Sequence, residues 1–478
     1  MGPGLAREPS VRPGLARPWW IEEALAAEGG GGQPASPLAG GAEADVAILG
    51  GGFTGLWTAL ALRELDPTVR VIVLEAKQCG EGPSGRNGGF LHGYWASLSR
   101  LRDRFGDDAA LEIARASSRI VPAVREFCAR RGEDVWLREG GMLKVSAAPP
   151  QDEAVDRIVA AARELGVPDE AALLSGDEVQ ARCRSPRFRR GVFFRDGATV
   201  QPARLVRALR RAVRDDERSA LHELTPVLRL RREGVETKHG LVRAREVVVA
   251  TNAAATGWRP LARRLTNFGS YVVLTEPAPG LLEEIGWTGG EAIVDGRMFI
   301  HYFRTTADGR VLMGSGSGPI GFGGRLDGRF TRDEPTAARA EAGLRTLLPG
   351  LAGARVTHAW GGPIDVSADY FPFFGTVPGK RVHYGAGYSG NGVGPSWLGG
   401  QILARLALGI DDELTRLALV NRKTRRLPPE PMKRLGGGLV RAAVLECEEA
   451  EEEGRRPPLA ARVGASLPRL MRMRVGTR

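Results

Sequence analysis

One short stretch constrains this chain more than any other. Val46-Ala47-Ile48-Leu49 runs into Gly50-Gly51-Gly52-Phe53-Thr54-Gly55 and then into a Leu-, Ala- and Trp-rich segment ending at Leu65. The apolar run reads as a buried strand, the glycines as a tight turn and the following segment as a helix, with a second strand over 69–74. In a G-x-G-x-x-G turn so placed, Gly50 permits the sharp bend. Gly52 lets a pyrophosphate approach the backbone, and Gly55 lets helix and strand pack closely. Free amides and the positive end of the helix then face phosphate. Glu75, 23 residues beyond Gly52, ends the second strand, where a carboxylate accepts hydrogen bonds from a ribose diol and repels a 2′-phosphate. NADP is therefore disfavoured, while NAD and FAD, which share the ADP moiety, are not separated by this turn.

The stretch 46–62 is apolar enough to imitate a membrane span, but its central glycines and strand-to-helix switch argue for a buried unit, and no span is expected. At 478 residues, 42% hydrophobic and 26% charged, the chain has the composition of a large globular protein with more than one domain. Its net charge of +11 is concentrated in residues 421–478, which hold fourteen Lys/Arg against seven Glu. A nucleic-acid binder masses its cations on the surface that meets phosphate, so a solvated cationic tail is expected and a nucleic-acid partner is not. The cysteines at 79, 128, 183 and 447 form no C-x-x-C pair, and no His-x-x-His spacing occurs, so neither a disulfide framework nor a metal site is expected. The first forty residues show no apolar h-region, which gives the expectation of a cytoplasmic protein.

Helical periodicity recurs over 107–130, 152–165, 202–214, 334–348 and 396–408, and strand-like runs fall at 135–145, 190–200, 246–250, 269–275, 292–304, 311–314, 355–360 and 381–386. The expected fold is α/β: a Rossmann-like dinucleotide-binding domain assembled from 44–134, 186–255 and 360–435, which the resemblance given below makes the FAD-binding domain, with an inserted antiparallel-sheet (α+β) substrate domain over 135–185 and 256–359. Residues 1–43 are expected to be mobile apart from a helical patch at Trp19-Trp20-Ile21 that could dock. Residues 436–478 are expected to form a C-terminal helix, stopped by Gly454 and Pro457-Pro458, and a basic tail.

Two further glycine-rich signatures follow, Ser84-Gly85-Arg86-Asn87-Gly88-Gly89 and Gly385-Ala386-Gly387-Tyr388-Ser389-Gly390-Asn391-Gly392-Val393. Arg86 and Asn87 offer donors to phosphate, and the third glycine loop, 385–393, leads into a helix whose N-terminus, with Asn391 to Val393, can face an anionic part of a cofactor. In order and spacing these motifs resemble the FAD-dependent amine oxidoreductases of the D-amino-acid oxidase and glycine oxidase superfamily, above all the gamma-glutamylputrescine oxidoreductase-like branch, from about Trp19 to about Pro458. The resemblance implies an extended FAD whose ADP part lies on Gly50, Gly52, Phe53, Thr54, Gly55, Glu75 and Ala76. It places Ser84 to Gly89 under the pyrophosphate, ribityl chain and flavin edge, Val227, Ala250 and Thr251 along the adenine, and Gly387, Gly390, Asn391, Gly392 and Val393 near the flavin ring. The third loop contains no cysteine, so a cysteinyl-flavin bond is not expected, and His92 reads as a loop histidine.

The chemistry implied is hydride transfer from the amine-bearing carbon to flavin N5, then imine hydrolysis, with a small-molecule amine as substrate and oxygen or another acceptor as oxidant. Glycine-oxidase-like enzymes carry an arginine after Trp-x-Gly to grip a carboxylate. Here Trp360-Gly361 is followed by Gly362-Pro363-Ile364-Asp365, so the clamp is missing and Asp365 is a candidate to attract a cation. Alternation along 298–304 puts Tyr302 and Arg304 on one face and His301 on the other. Tyr302, Tyr388 and Asp365 are the candidate catalytic residues. The competing readings are an oxidase of D-amino acids or glycine, with Arg304 as clamp, an NAD-linked dehydrogenase, and a non-enzymatic binding protein.

Overall fold

The apolar run before the first glycines becomes the strand Ala42–Leu49, the centre of a parallel array in the order Val382–Ala386, Leu241–Val249, Ala42–Leu49, Val71–Leu74 and Ser219–His222. In this computed structural model, residues 18–29, 32–470 and 473–474 are described. Strands covered on both faces are apolar throughout, as Val71–Leu74 is, and such strands are parallel because helices cross between them. Phe53–Leu65, Pro202–Arg214 and Pro395–Leu408 cover one face and share its core with Ile48, Val73 and Val248. An antiparallel strand, Phe373–Thr376, closes one edge, and the short strands Val227–Arg231 and Gly234–Thr237 extend antiparallel from Leu241–Val249.

A second sheet of eight strands runs in the order Val356–Ser367, Leu265–Thr275, Val311–Ser315, His301–Thr305, Ala292–Val294, Met142–Ser146, Arg190–Phe194 and Ala172–Leu174. Every pair is antiparallel except Ala292–Val294 beside Met142–Ser146, which is parallel. The α/β class with a second sheet holds, but sheet membership departs from the expected segments. Arg190–Phe194 and most of Val356–Ser367, which fall within the segments expected to form the dinucleotide-binding domain, belong to the second sheet. Their alternation is that of any half-buried strand, and only their partners, Met142–Ser146 and Leu265–Thr275, decide where they sit.

The run 298–304 is not one strand: pairing starts at His301. Asp295 turns the chain by accepting from the amides of Arg297 and His301, and the Phe299 amide is drawn to Glu448 of the helix Met432–Glu452. The N-terminal patch docks as the helix Trp19–Ala27. Trp20 is fully buried there, and Glu23 and Glu28 pair with Arg204 and Arg207 of Pro202–Arg214. Leu38, within the segment expected to be mobile, is also buried, whereas residues 1–17 lie outside the described part. Nor is the basic tail wholly solvated, because Leu459–Leu470 packs along Met432–Glu452 and Arg474 pairs with Asp103. Among the described residues, no helix is long and apolar enough to cross a membrane.

Candidate active site

The carboxyl ends of Ala42–Leu49, Val71–Leu74 and Leu241–Val249 open into a crevice of about 1330 Å³. Gly50 turns there with φ +109°, and a Cβ on it would meet the Ala250 carbonyl oxygen at 2.5 Å. A Cβ on Gly55 would lie 1.9 Å from the Gly50 oxygen, and one on Gly52 would meet Ser84 Oγ at 2.9 Å. The turn therefore admits no side chain at any of the three positions without displacing something, as a backbone cradle for pyrophosphate requires. Gly50, Gly52, Phe53, Thr54, Glu75, Ala76, Ser84, Arg86, Asn87, Val227, Ala250 and Thr251 all line the crevice. Gly55, Gly85 and Gly89 do not. Their Cβ positions are taken by the carbonyls of Gly50, Gly80 and Val200, so these glycines set the approach of neighbouring segments.

The acid at the strand end is committed within the protein. Glu75 accepts from the amides of Gly51 at 2.7 Å and Lys77 at 2.9 Å, and burial holds its pKa above the usual carboxylate range. Behind it Arg210 and Glu223 form a buried pair at 2.7 Å, and Glu223 also accepts from the Cys79 amide. In the second loop the expected donors are likewise partly spent. Arg86 donates to the carbonyls of Glu81 and Gly361, while Asn87 donates to Pro83 and Ser84 and accepts from Gly89. Asn87 thus staples its own loop. Two tryptophans hold the same loop from outside, Trp20 donating to the Asn87 carbonyl at 3.0 Å and Trp360 to the Arg86 carbonyl at 2.9 Å.

A chamber of about 220 Å³ adjoins the crevice and shares Pro83, Arg86, Asn87, Tyr388, Gly390 and Val393 with it. Tyr302 forms one wall. Its ring fits against Gly314 and Gly88, where a Cβ would approach it to 2.1 and 2.9 Å, it meets Phe90 edge-on, and its hydroxyl lies 2.8 Å from Ser270 Oγ. Burial pushes the Tyr302 phenol up to about 12 and Tyr388 higher still, so both are neutral donors at ordinary pH. Tyr388 accepts from Thr54 Oγ1 at 2.9 Å, which ties the chamber to the start of the helix Phe53–Leu65. Asn391 lines the chamber and Gly392 the crevice. His92 faces the chamber with Nδ1 on the Gly93 carbonyl, and burial lowers its pKa, leaving the ring neutral.

Two expectations change. Asp365 lines the crevice and not the chamber: one carboxylate oxygen accepts from Asn252 Nδ2 at 2.9 Å and the other from the Gly387 amide. It anchors the third glycine loop, and burial raises it to about 7 against the pull of those donors. Arg304 cannot serve as a carboxylate clamp, because it is 1% exposed and its donors go to the carbonyls of Thr305, Gly89 and Val200 beneath Trp20. Sequence reasoning missed Ser270, Phe90, Arg100, Lys144 and Asn252. For Asn252 a signal exists only in the backbone, its φ of +45°. Among the described residues, no group of three or more His, Cys, Asp and Glu is placed to hold a metal ion.

Residues 45–406 match the family model described as DAO, FAD dependent oxidoreductase. The chain is 30% identical over 423 residues to the probable oxidoreductase OrdL of Rhizobium meliloti (strain 1021), a match covering 86% of this chain and 92% of that protein. It is 28% identical over 377 residues to the gamma-glutamylputrescine oxidoreductase of Escherichia coli (strain K12), covering 76% of this chain and 84% of that one. Among solved structures, the glycine oxidase of Geobacillus kaustophilus superposes with a TM-score of 0.65 at 21% identity, over 80% of this chain and 100% of that chain. The cradle without side chains, the long crevice and the adjoining chamber fit an extended FAD.

Proposed function

The chain belongs to the FAD dependent oxidoreductase (DAO) family, and from that premise we propose that it oxidises an amine to an imine, which water then hydrolyses. When bound, FAD supplies the two-electron acceptor for hydride leaving the carbon that bears nitrogen. The observation that carries the reading is the chamber: it joins the crevice at the residues expected around the flavin edge, and its walls are Tyr302, Phe90, Tyr388, Met298 and Phe299. These walls exclude bulk water and hold the substrate in one orientation. The charged lining is Arg86, Arg100, Lys144 and Asp295, and the carboxylate of Asp295 is committed to His301 at 3.0 Å and to the Arg297 amide. An ammonium is disfavoured in such a place by desolvation and by like charge, so the amine binds as its free base after releasing a proton to solvent.

The relatives named for gamma-glutamylputrescine and for glycine mark the two substrate classes to be weighed, amine and α-amino acid. Amine is favoured because Arg304 is spent on backbone carbonyls and the segment after Trp360 brings no cation to the chamber. Mixing the purified protein anaerobically with primary and secondary amines, glycine, sarcosine and D-alanine tests the assignment. The oxidised flavin band is expected to bleach with amines and hardly at all with the α-amino acids. Faster bleaching by any α-amino acid than by every amine overturns it.

A further inference from the structure

The chamber shares a wall with another space. Ala96, Arg100, Lys144 and Met298 line the chamber and also line this second cavity of about 600 Å³, bounded by residues of the helices Leu98–Phe105, Asp152–Glu164 and Leu459–Leu470. That outer cavity presents six Lys/Arg side chains and only two acids, Asp103 and Glu164, which are already paired with Arg474 and Arg102. Its field therefore attracts anions toward the chamber.

Arg100 stands at the junction of the two spaces. Its Nη2 donates to Ser97 Oγ at 2.7 Å, and its guanidinium carbon lies 5.3 Å from the Phe371 ring centre. Nη1 is closed to solvent and has no hydrogen-bond partner, and among the described residues no carboxylate forms an ion pair with Arg100. Burial and the charge of Arg474 lower its pKa to about 10, which leaves it charged at neutral pH. A half-buried cation with one nitrogen closed to solvent and no counter-ion among the described residues is costly.

We propose that Arg100 is the anion-binding end of the substrate site: the amine carries a distal carboxylate, which arrives through the outer cavity and is held by Arg100 while the amine-bearing carbon lies between Tyr302 and Tyr388. The placement of the amine rests on the amine-oxidation reading; the carboxylate subsite does not. It also replaces the distal cation that Asp365 was expected to attract.

The test measures binding before turnover. Straight-chain alkanoates from butanoate to octanoate, and the matching primary amides, are titrated into the flavin-loaded protein and followed by the perturbation of the flavin spectrum. The best alkanoate is expected to bind about tenfold to a hundredfold more tightly than its amide. Arg100→Gln should abolish that preference, and Arg100→Lys should keep part of it. Equal affinity of acid and amide in the unaltered protein, which needs no variant, overturns the proposal, as does an unchanged preference in Arg100→Gln. The ω-amino acids, their amides and the plain alkylamines are then compared as reductants, and the acids should show the lowest KM at similar kcat. If no amine bleaches the flavin while the alkanoate preference stands, amine oxidation fails and the carboxylate subsite survives.

Discussion

A methyl group added at Gly52 or at Gly55 separates the two tasks that the first glycine turn combines. At Gly55 the new Cβ would sit 1.9 Å from the Gly50 oxygen and 3.3 Å from Ile48 Cγ2. The nearer neighbour is backbone, in a turn whose own φ of +109° leaves it little freedom. No side-chain rotation relieves the contact, so Phe53–Leu65 must move off the sheet and disturb the largest core cluster. Overpacking of this kind costs about 1–3 kcal/mol, and a clash against backbone belongs at the upper end. At Gly52 the nearest atom is Ser84 Oγ at 2.9 Å, a hydroxyl that can turn away. Turning it forfeits the 3.0 Å bond from the Phe53 amide, a helix-start contact worth about 1 kcal/mol. The methyl group then occupies the space where phosphate would lie. Denaturant unfolding of the flavin-free proteins, together with the ratio of flavin to protein absorbance as purified, resolves the two effects. Gly55→Ala should lose about 2–3 kcal/mol without flavin present, whereas Gly52→Ala should lose about 1 kcal/mol and most of its flavin. A Gly52→Ala protein with full flavin, or a Gly55→Ala protein as stable as its parent, would refute the cradle argument.

Asp365→Asn replaces an acceptor of two hydrogen bonds with a group that must point a donor at Asn252 or Gly387. It is expected to cost about 1–3 kcal/mol and to weaken flavin retention without changing the order of preference among amines, so selective loss of amines with a distal cation would contradict the anchoring role. Tyr302→Phe keeps the ring on Gly314 and Gly88 and removes only the bond to Ser270. A loss of about 1 kcal/mol and less than tenfold in flavin reduction is expected by stopped flow, and a dead enzyme with bound flavin would make the hydroxyl essential. Burial raises Glu448 to about 7, and only one of its oxygens has a partner, the Phe299 amide. Because the folded pKa is the higher one, its contribution is complete below pH about 4.5 and is lost as pH rises through about 7, by up to about 3 kcal/mol. Glu448→Gln should therefore flatten the midpoint of thermal unfolding between pH 5 and 8, and an unchanged profile would assign the slope elsewhere.

The glycine turns were legible because their constraint is local. A positive φ at Gly50 and a Cβ position filled by carbonyl oxygen at Gly55 restrict residue type wherever such a turn occurs, so the crevice could be read residue by residue. Sheet membership was not, since Arg190–Phe194 alternates in the same way whichever neighbour it finds. Strand alternation also put Tyr302 and Arg304 on one face without telling that Tyr302 walls the chamber while Arg304 holds the Gly89 and Val200 carbonyls. Asp365 looked like a free carboxylate because Asn252 is 113 residues away. The uncompensated charge of Arg100 becomes visible only when helix, sheet and C-terminal segment are assembled around it.

The two indoles on the second glycine loop bear on the order in which the molecule can be made. They grip adjacent carbonyls, yet Trp20 lies 67 residues before its partner and Trp360 lies 274 residues after its own. During synthesis the loop meets its first clamp early and waits for the second until a further 274 residues have been made, a delay of tens of seconds at about 5–20 residues per second. Contacts so distant in sequence also form late in refolding, after local helices and hairpins. Flavin capture therefore follows synthesis of the segment that carries Trp360, and nascent chains arrested before Trp360 should bind none.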